Sequence, residues 1–571
     1  MAALSVAHGQ ELTPGALPRT LDRTPATLHG VVRNASTGEG LARALVRIEG
    51  DADAGVLTDG AGRFEISGIP VGPQAVEVRK PGFRDRGQGG GSGVSGENGA
   101  STHNVMVAAQ MADVVFTLAP TCAIHGQVEL STGDAGQGIT ISLARRTVEA
   151  GRAVWQAAGS TKTHSDGTYR FAGLADGVYA IFSQPAMESE LDAVPGPAGA
   201  GERRGYPSVY YPDARDPAGE AKISLSNGQE ALANLTLTRE AFQTVRAETI
   251  LPGGARYGSG NPAWAGMNLS AMLMDAQGLI LPYAAQFDEQ TQTVQALVPD
   301  GTYSLLVTVT TSRSTAGAGG NASYSAAMDA GPFTGSVDFS VTGHAPPNLR
   351  VPLSAQRPNS VPLSGARSGG EKADGNGSGT IMVLVNRASG WIDDAIASAY
   401  ANGRLPGPLH SVYTPPGAYW VHTNIGQKGL CESSYTAGGA NLGSEPLIVG
   451  LSGSTAPMEL ALRDDCAALQ ISLPESQAGI VAGEEIFYTV YVVPDFDFTT
   501  DLTPVTLRPS SGGSVTVEDL TPGGYHVYAF AGEATLEYRN RDALAALTHP
   551  GQAVTLSAGA TGTIVVEAQE R

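Results

Sequence analysis

A short phrase recurs about once every hundred-odd residues of this chain. It is an apolar residue, a turn, and then a Gly-x-Tyr step that opens a strand. Four copies are close: Leu174-Ala-Asp-Gly-Val-Tyr179, Val298-Pro-Asp-Gly-Thr-Tyr303, Thr414-Pro-Pro-Gly-Ala-Tyr419 and Leu520-Thr-Pro-Gly-Gly-Tyr525. A fifth, Ile69-Pro-Val-Gly-Pro-Gln74, keeps the turn and lacks the tyrosine. Self-similarity at a fixed period reports architecture before any single motif does. A period of ~100 residues is the size of a whole small domain, too long for a solenoid unit. The expectation is a row of about five small β domains.

Composition supports that reading. Charged residues make up only 16% of the chain, and Gly and Pro contribute 74 and 35 of its 571 residues. Such a chain is too apolar for disorder and rich in the turn formers that short strands require. The best helix candidates, Trp391–Tyr400 and Arg541–Leu547, would make two or three turns each. A net charge of −20 speaks against nucleic acid, whose affinity comes from Lys and Arg on phosphates. No segment is apolar enough to span a membrane.

The pattern divides the chain into a lead (1–25), repeat one (26–119), repeat two (120–239), repeat three (240–354), a Gly/Ser-dense linker (355–379), repeat four (380–463) and repeat five (464–571). Within repeat one, Leu28–Val32, Ala42–Ile48, Gln74–Arg79 and Asp113–Leu118 read as strands, and Val56–Ile66 as a hairpin turning at Asp59-Gly60. Repeat two follows the same script, with Ile124–Val128, Ile139–Ala144, a second hairpin at Asp166-Gly167, and Leu232–Thr238. Repeats three to five keep the Gly-x-Tyr strand and the closing strand without the Asp-Gly phrase. Inserts follow the Gly-x-Tyr strand at Arg84–Asn104, Gln184–Gly205, Thr311–Gly331 and Gly426–Ser444. Long loops on a rigid sandwich are where binding residues concentrate, although Gly-rich inserts also occur as tolerated slack.

The phrase Gly30-Val-Val, Ala42-x-Ala44-x-Val46-x-Ile48, then Thr58-Asp59-x-x-Gly62-x-Phe64-x-Ile66-x-x-Ile69-x-x-Gly72, resembles the carboxypeptidase regulatory-like domain. Repeat two matches through Thr163, Asp166, Tyr169, Phe171, Leu174, Gly177 and Tyr179. The resemblance covers about two hundred residues in detail; over repeats three to five it rests on the Gly-x-Tyr strand and the domain length. It implies an all-β fold of tandem prealbumin-like (transthyretin-like, Ig-like) β-sandwiches. It also implies a non-catalytic module, often grouped with carbohydrate-binding-like sandwiches and resembling those of large secreted or surface proteins.

Motifs for chemistry are sparse. The only His-x-x-Glu, His8-Gly-Gln-Glu11, lies in the lead, away from any domain that could complete a zinc peptidase site. His-Glu-x-x-His, Gly-x-Ser-x-Gly and Gly-x-x-x-x-Gly-Lys are absent, which removes the usual zinc-peptidase, serine-esterase and nucleotide-binding signatures. Asp51, Asp53 and Asp59 lack calcium-loop spacing and read as turn formers. His29 and His125 occupy one strand position in two repeats, and repetition alone accounts for them. Repeats three and five contain no lysine, which excludes a Lys–Asn isopeptide bond as a general device. The Gly-x-Tyr tyrosines read as corner residues whose hydroxyls reach backbone. No cofactor or metal is expected.

Two expectations concern binding and compartment. Exposed rings stack on sugars, so Tyr206, Tyr210 and Tyr211 with Asp213 (and Arg215 beside it), together with Trp391 and Trp420, are the candidate ligand-binding residues. The alternative is that the Tyr206–Asp213 stretch is a fold element, with a faint counterpart at Tyr538–Arg541. Cys431 and Cys466 are the pair that an oxidising compartment would join; in a reducing one all three cysteines stay as thiols. The start, Met1-Ala-Ala-Leu-Ser-Val-Ala7, ends in a small-x-small pattern. It reads either as the tail of a truncated signal peptide or as an ordinary lead. Together these give a non-enzymatic protein that is secreted, periplasmic or at the cell surface, with carbohydrate or an envelope protein as partner. The alternatives are a structural stalk, or an accessory subunit of a peptidase or an outer-membrane transport system.

Overall fold

The computed structural model describes residues 25–49, 55–85, 101–108, 113–188, 203–215, 221–258, 267–275, 278–311, 315–316, 322–323, 333–355, 360–361, 363–366, 381–388, 390, 400–403, 409–411, 416–450, 453–474, 477, 487–508 and 513–569. Their regular secondary structure is almost entirely strand, sorted into small sheets that pack in pairs. The chain divides into two compact units, residues 1–121 and 122–571.

In the first unit, one sheet has the order Arg63–Pro70, Pro25–Asn34, Val114–Pro120, Phe83–Asp85, and the other Gly55–Leu57, Leu45–Ile48, Gly72–Arg79, Ser101–Val107. Alternation sends Leu28, Val32, Val46, Phe64, Ile66, Val76, Val78, Phe116 and Leu118 into the space between them. Burial of each such side chain contributes about 1.5–3 kcal/mol before entropy is charged against it. The stretch Val56–Ile66 is not a hairpin. Its two strands belong to opposite sheets, so the Asp59-Gly60 turn carries the chain across the sandwich. Thr58 and Asp59 fix that crossing. The Thr58 hydroxyl donates to Leu41 O (2.5 Å) and accepts from Ala44 N (2.8 Å). The Asp59 carboxylate accepts from Ala61 N and Arg63 N. Repeat two does the same with Thr163, which donates to Gly136 O and accepts from Ile139 N.

The second unit contains four more sandwiches with the same wiring. In every repeat the first strand lies parallel to the closing one: Pro25–Asn34 with Val114–Pro120, Cys122–Leu130 with Leu235–Leu237, Glu240–Ile250 with Leu349–Pro352, Leu363–Ala366 with Met458–Arg463, and Ala467–Ser472 with Thr561–Val565. The strand of the Gly-x-Tyr phrase (Gly72–Arg79 in repeat one, which lacks the tyrosine) sits in the opposite sheet each time, antiparallel to Leu45–Ile48, Thr140–Glu149, Met267–Met274, Ile381–Arg387 and Tyr488–Pro494 in turn.

Two expectations are corrected by this wiring. Ser360–Val361 and Leu363–Ala366 fall inside the stretch 355–379 read as a linker, yet both are strands of the fourth sandwich; Leu409–Ser411 supplies the backbone partners of the first and the closing strand those of the second, which so short a segment cannot advertise. The Gly426–Ser444 segment is not a loop insert either. Cys431–Ala437 is a central strand against Met458–Arg463, with Tyr435 fully buried. The ends of the repeat-two insert, Ala186–Met187 and Arg203–Tyr206, extend the sheet of repeat three through Glu240–Ile250. Residues 189–202 of that insert, most of those in repeats one and three, and the Trp391–Tyr400 helix candidate apart from Tyr400 lie outside the described residues. Tyr400 itself begins a strand, Tyr400–Gly403. The other helix candidate forms as a single short helix, Arg541–Ala545, capped by the Asn540 side chain.

Candidate functional site at the junction of repeats two, four and five

The strands Thr140–Glu149 and Arg152–Lys162 of repeat two form a long hairpin. Its turn is Ala150-Gly151, both with positive φ (47° and 75°), the backbone that a tight two-residue hairpin turn requires. A Cβ on Gly151 would stand 2.3 Å from Tyr538 Cε2, so only glycine lets the hairpin tip close on repeat five.

Charged groups fix that contact. Arg146 holds Glu537 by two parallel hydrogen bonds of 2.5 and 2.9 Å. Arg539 clamps two segments at once: its backbone N–H donates to Gly151 O (3.0 Å) and its Nε to Ala150 O (2.9 Å). Its Nη groups donate to Phe498 O, Thr499 O and Thr500 O. The guanidinium also lies over the rings of Phe498 and Tyr538. Repeat four meets the hairpin through Trp155 N–H, which donates to Gly390 O (2.8 Å), and through Arg152, whose guanidinium lies 3.6 Å from the centre of the Trp420 ring.

Repeats four and five are joined around Glu432. This buried carboxylate accepts from Thr499 N and from the hydroxyls of Thr423, Thr499 and Thr500. A buried charge is tolerated only with such a full set of donors. His422 Nδ1 meets Asp501 Oδ2 at 2.7 Å beside it. Cys431 and Cys466 form a disulfide with Cα atoms 5.9 Å apart, tying a repeat-four strand to the segment that enters repeat five.

These contacts leave a cavity of about 400 Å³, lined among others by Glu149, Arg152, Trp420, His422, Arg539 and Asp542. Burial, aided by the like charge of Arg539, pulls the Arg152 guanidinium down to about 10. Arg152 has no carboxylate partner among the described residues.

The aromatic candidates from the sequence fare differently. Tyr206 and Tyr210 are 2% and 4% exposed. Tyr206 belongs to the repeat-two core, and Tyr210 stacks on Phe182 with ring centres 5.0 Å apart. They are packing residues and offer no face to a sugar. The cause is backbone pairing: Ser183 N donates to Val209 O and Tyr211 N to Ile181 O, which draws the segment against the Gly-x-Tyr strand. Tyr211 is half-buried on the same core, and Asp213 is exposed. Arg215 pairs with Glu240. Trp391 lies outside the described residues. Trp420 is half-buried beneath Arg152, and of the five candidates among the described residues it is the one that lines the junction cavity.

The corner tyrosines behave as expected. Tyr179 donates to Ala175 O (2.8 Å), Tyr303 to Pro299 O (2.9 Å) and Tyr525 to Thr521 O (2.5 Å), each four residues back. Asp59 is a turn former; Asp51 and Asp53 lie outside the described residues. His29 pairs with Asp113. Among the described residues, no group of three His, Cys, Asp or Glu is placed to hold a metal ion. Sequence reasoning missed Arg146, Arg152, Glu537 and Arg539, because surface residues of separate domains leave no local pattern that predicts their meeting.

Comparison with known proteins adds the following. The family model of the carboxypeptidase regulatory-like domain matches residues 27–118. No curated protein sequence matches the chain. Among solved structures, the chain is similar to the Bacillus anthracis TIE protein (9% identity, 95% of this chain and 68% of that one, TM-score 0.14). It is also similar to a streptococcal ancillary pilin (12%, 58% and 99%, 0.18) and to BcpA, the major pilin subunit of Bacillus cereus (7%, 78% and 99%, 0.13). TM-scores this low carry no argument about the present chain. The repeated wiring and the match over repeat one together make this an all-β protein of tandem sandwiches whose first domain, residues 27–118, is a carboxypeptidase regulatory-like domain.

Proposed function

We propose that the chain is a non-enzymatic scaffold working outside the cytoplasm, in which β-sandwiches are held in fixed relation to present or space a partner at the cell envelope. One observation carries this reading: the hairpin of repeat two is fastened to repeat five by the Arg146–Glu537 pair and the Arg539 clamp. Domains that move against one another do not bury multidentate guanidinium contacts at their joint. The Cys431–Cys466 disulfide supports an oxidising compartment. Burial of Tyr206 and Tyr210 favours the scaffold over the sugar-stacking platform that the sequence offered at these rings.

The test is a distance measurement on the full chain with spin labels at Lys162→Cys in repeat two and Gln552→Cys in repeat five, both exposed positions. A scaffold gives one narrow distance distribution that broadens in an Arg146→Ala/Arg539→Ala variant. A broad distribution in the otherwise unaltered chain, or saturable binding of neutral polysaccharide, would refute it.

A further inference from the structure

We infer that the cavity between the repeat-two hairpin tip and repeats four and five is a binding site for a small hydroxycarboxylate, with Arg152 as the residue that takes the carboxylate. The scaffold role neither requires this nor conflicts with it.

Charge and geometry point there together. Arg152 lines the cavity, and its guanidinium carbon is held over Trp420, 3.6 Å from the ring centre. Its hydrogen bond to Gly443 O is a long one, 3.4 Å. A planar cation oriented in advance and short of acceptors is the donor that a carboxylate engages through two parallel bonds. Arg539, by contrast, is already engaged with four backbone carbonyls.

The second observation is independent. His422 also lines the cavity, is 7% exposed, and its Nε2 has no hydrogen-bond partner. Its Nδ1 faces the Asp501 carboxylate at 2.7 Å. With Nδ1 donating to that carboxylate, a ring carrying one proton presents Nε2 as an acceptor. An unmatched buried acceptor costs about 1–3 kcal/mol unless a donor reaches it, and a ligand hydroxyl is such a donor. The lining favours a single negative charge. Arg152, Arg539 and Arg541 face two acids, Glu149 and Asp542, so a dianion such as phosphate would be overcharged for the site. A volume of about 400 Å³ suits a molecule of monosaccharide size.

A sugar acid and a short 2-hydroxy acid share this chemistry, and the test separates them. Calorimetry on the full chain would compare glucuronate and lactate with their uncharged counterparts, glucose and lactamide, and with acetate, which lacks the hydroxyl. The expected result is saturable binding of one or both hydroxycarboxylates, no binding of the uncharged pair, weaker binding of acetate, and a loss of at least about tenfold in Arg152→Gln. Glucuronate alone would assign the site to sugar acids, and lactate alone to short hydroxy acids. If Arg152→Gln fails to fold, Arg152→Lys keeps the charge without the fork and is expected to bind about threefold or more weakly. Absence of binding by both hydroxycarboxylates, equal binding by the uncharged pair, or affinity unchanged in the Arg152 variant would overturn the inference.

Discussion

Arg146 in repeat two and Glu537 in repeat five form a two-pronged ion pair across 391 residues of sequence, with bonds of 2.5 and 2.9 Å. The two side chains are only 30% and 12% exposed, so the pair is shielded from bulk water. Glu537 also accepts from Asn540 Nδ2, which links the pair to the cap of the short helix that follows.

Removing one partner should therefore do more harm than removing both. Arg146→Ala strands a buried carboxylate and is expected to cost about 3 kcal/mol in denaturant unfolding. Arg146→Ala/Glu537→Gln should be less damaged than Arg146→Ala alone, because no uncompensated charge remains. Strictly additive losses in this double-mutant cycle would show that the two residues are not coupled.

Gly30 makes a sharper local prediction. A Cβ there would lie 2.0 Å from Val114 O, where the first strand runs beside the closing strand. Gly30→Ala should cost about 3 kcal/mol through overpacking. Gly60, with open space around its Cα, is the matched control, and Gly60→Ala should stay within about 0.5 kcal/mol. Thermal unfolding of the two variants gives the comparison, and equal behaviour would mean that the parallel contact is looser than described.

Much of each sandwich was legible because the motif residues do local work. Thr58 and Thr163 stitch one turn by bonds within a few tens of residues, and the corner tyrosines bond four residues back. Such interactions tie residue identity to sequence spacing, so they can be read in one dimension. The sheet assignment of Val56–Ile66 could not be, since a turn between paired strands and a turn between sheets use the same Asp and Gly. Leu363–Ala366 was hidden for a different reason: its strand character comes from Met458–Arg463, nearly a hundred residues later. The Tyr206–Tyr211 segment misled because ring content says nothing about which side of a sheet the backbone pairing selects. The junction was invisible for the same reason at longer range, and Arg539 shows it best, with acceptors spread over repeats two and five.

The disulfide has a measurable consequence. Cys431 and Cys466 close a loop of sequence separation 35, for which the chain-entropy estimate is about 3–4 kcal/mol. Reduction, or Cys466→Ser, should lower the denaturation midpoint correspondingly, and mass spectrometry of the native chain should find Cys122 as the thiol that alkylates only after unfolding, because it is buried. Alkylation of three cysteines in the unfolded, unreduced chain would exclude the bond.

Buried tyrosines set the alkaline limit. Burial raises the phenols of Tyr169, Tyr303, Tyr435 and Tyr525 well above the ordinary value, and pushes Tyr283 up to about 12. A phenol raised in the folded state holds its proton more tightly there than in the unfolded chain. Its contribution to stability is therefore complete below the unfolded value of 10.0 and drains away as pH climbs through the folded one. From pH 10 to about 12 stability should fall with increasing slope, because several such groups act in the same direction. The phenolate absorbance of these tyrosines should then appear in step with loss of the β-sheet circular dichroism signal, as one transition. Complete phenolate formation near pH 10 with the sheet signal intact would show that these rings reach solvent in the native state, and the corner bonds of Tyr303 and Tyr525 would have to be withdrawn with it.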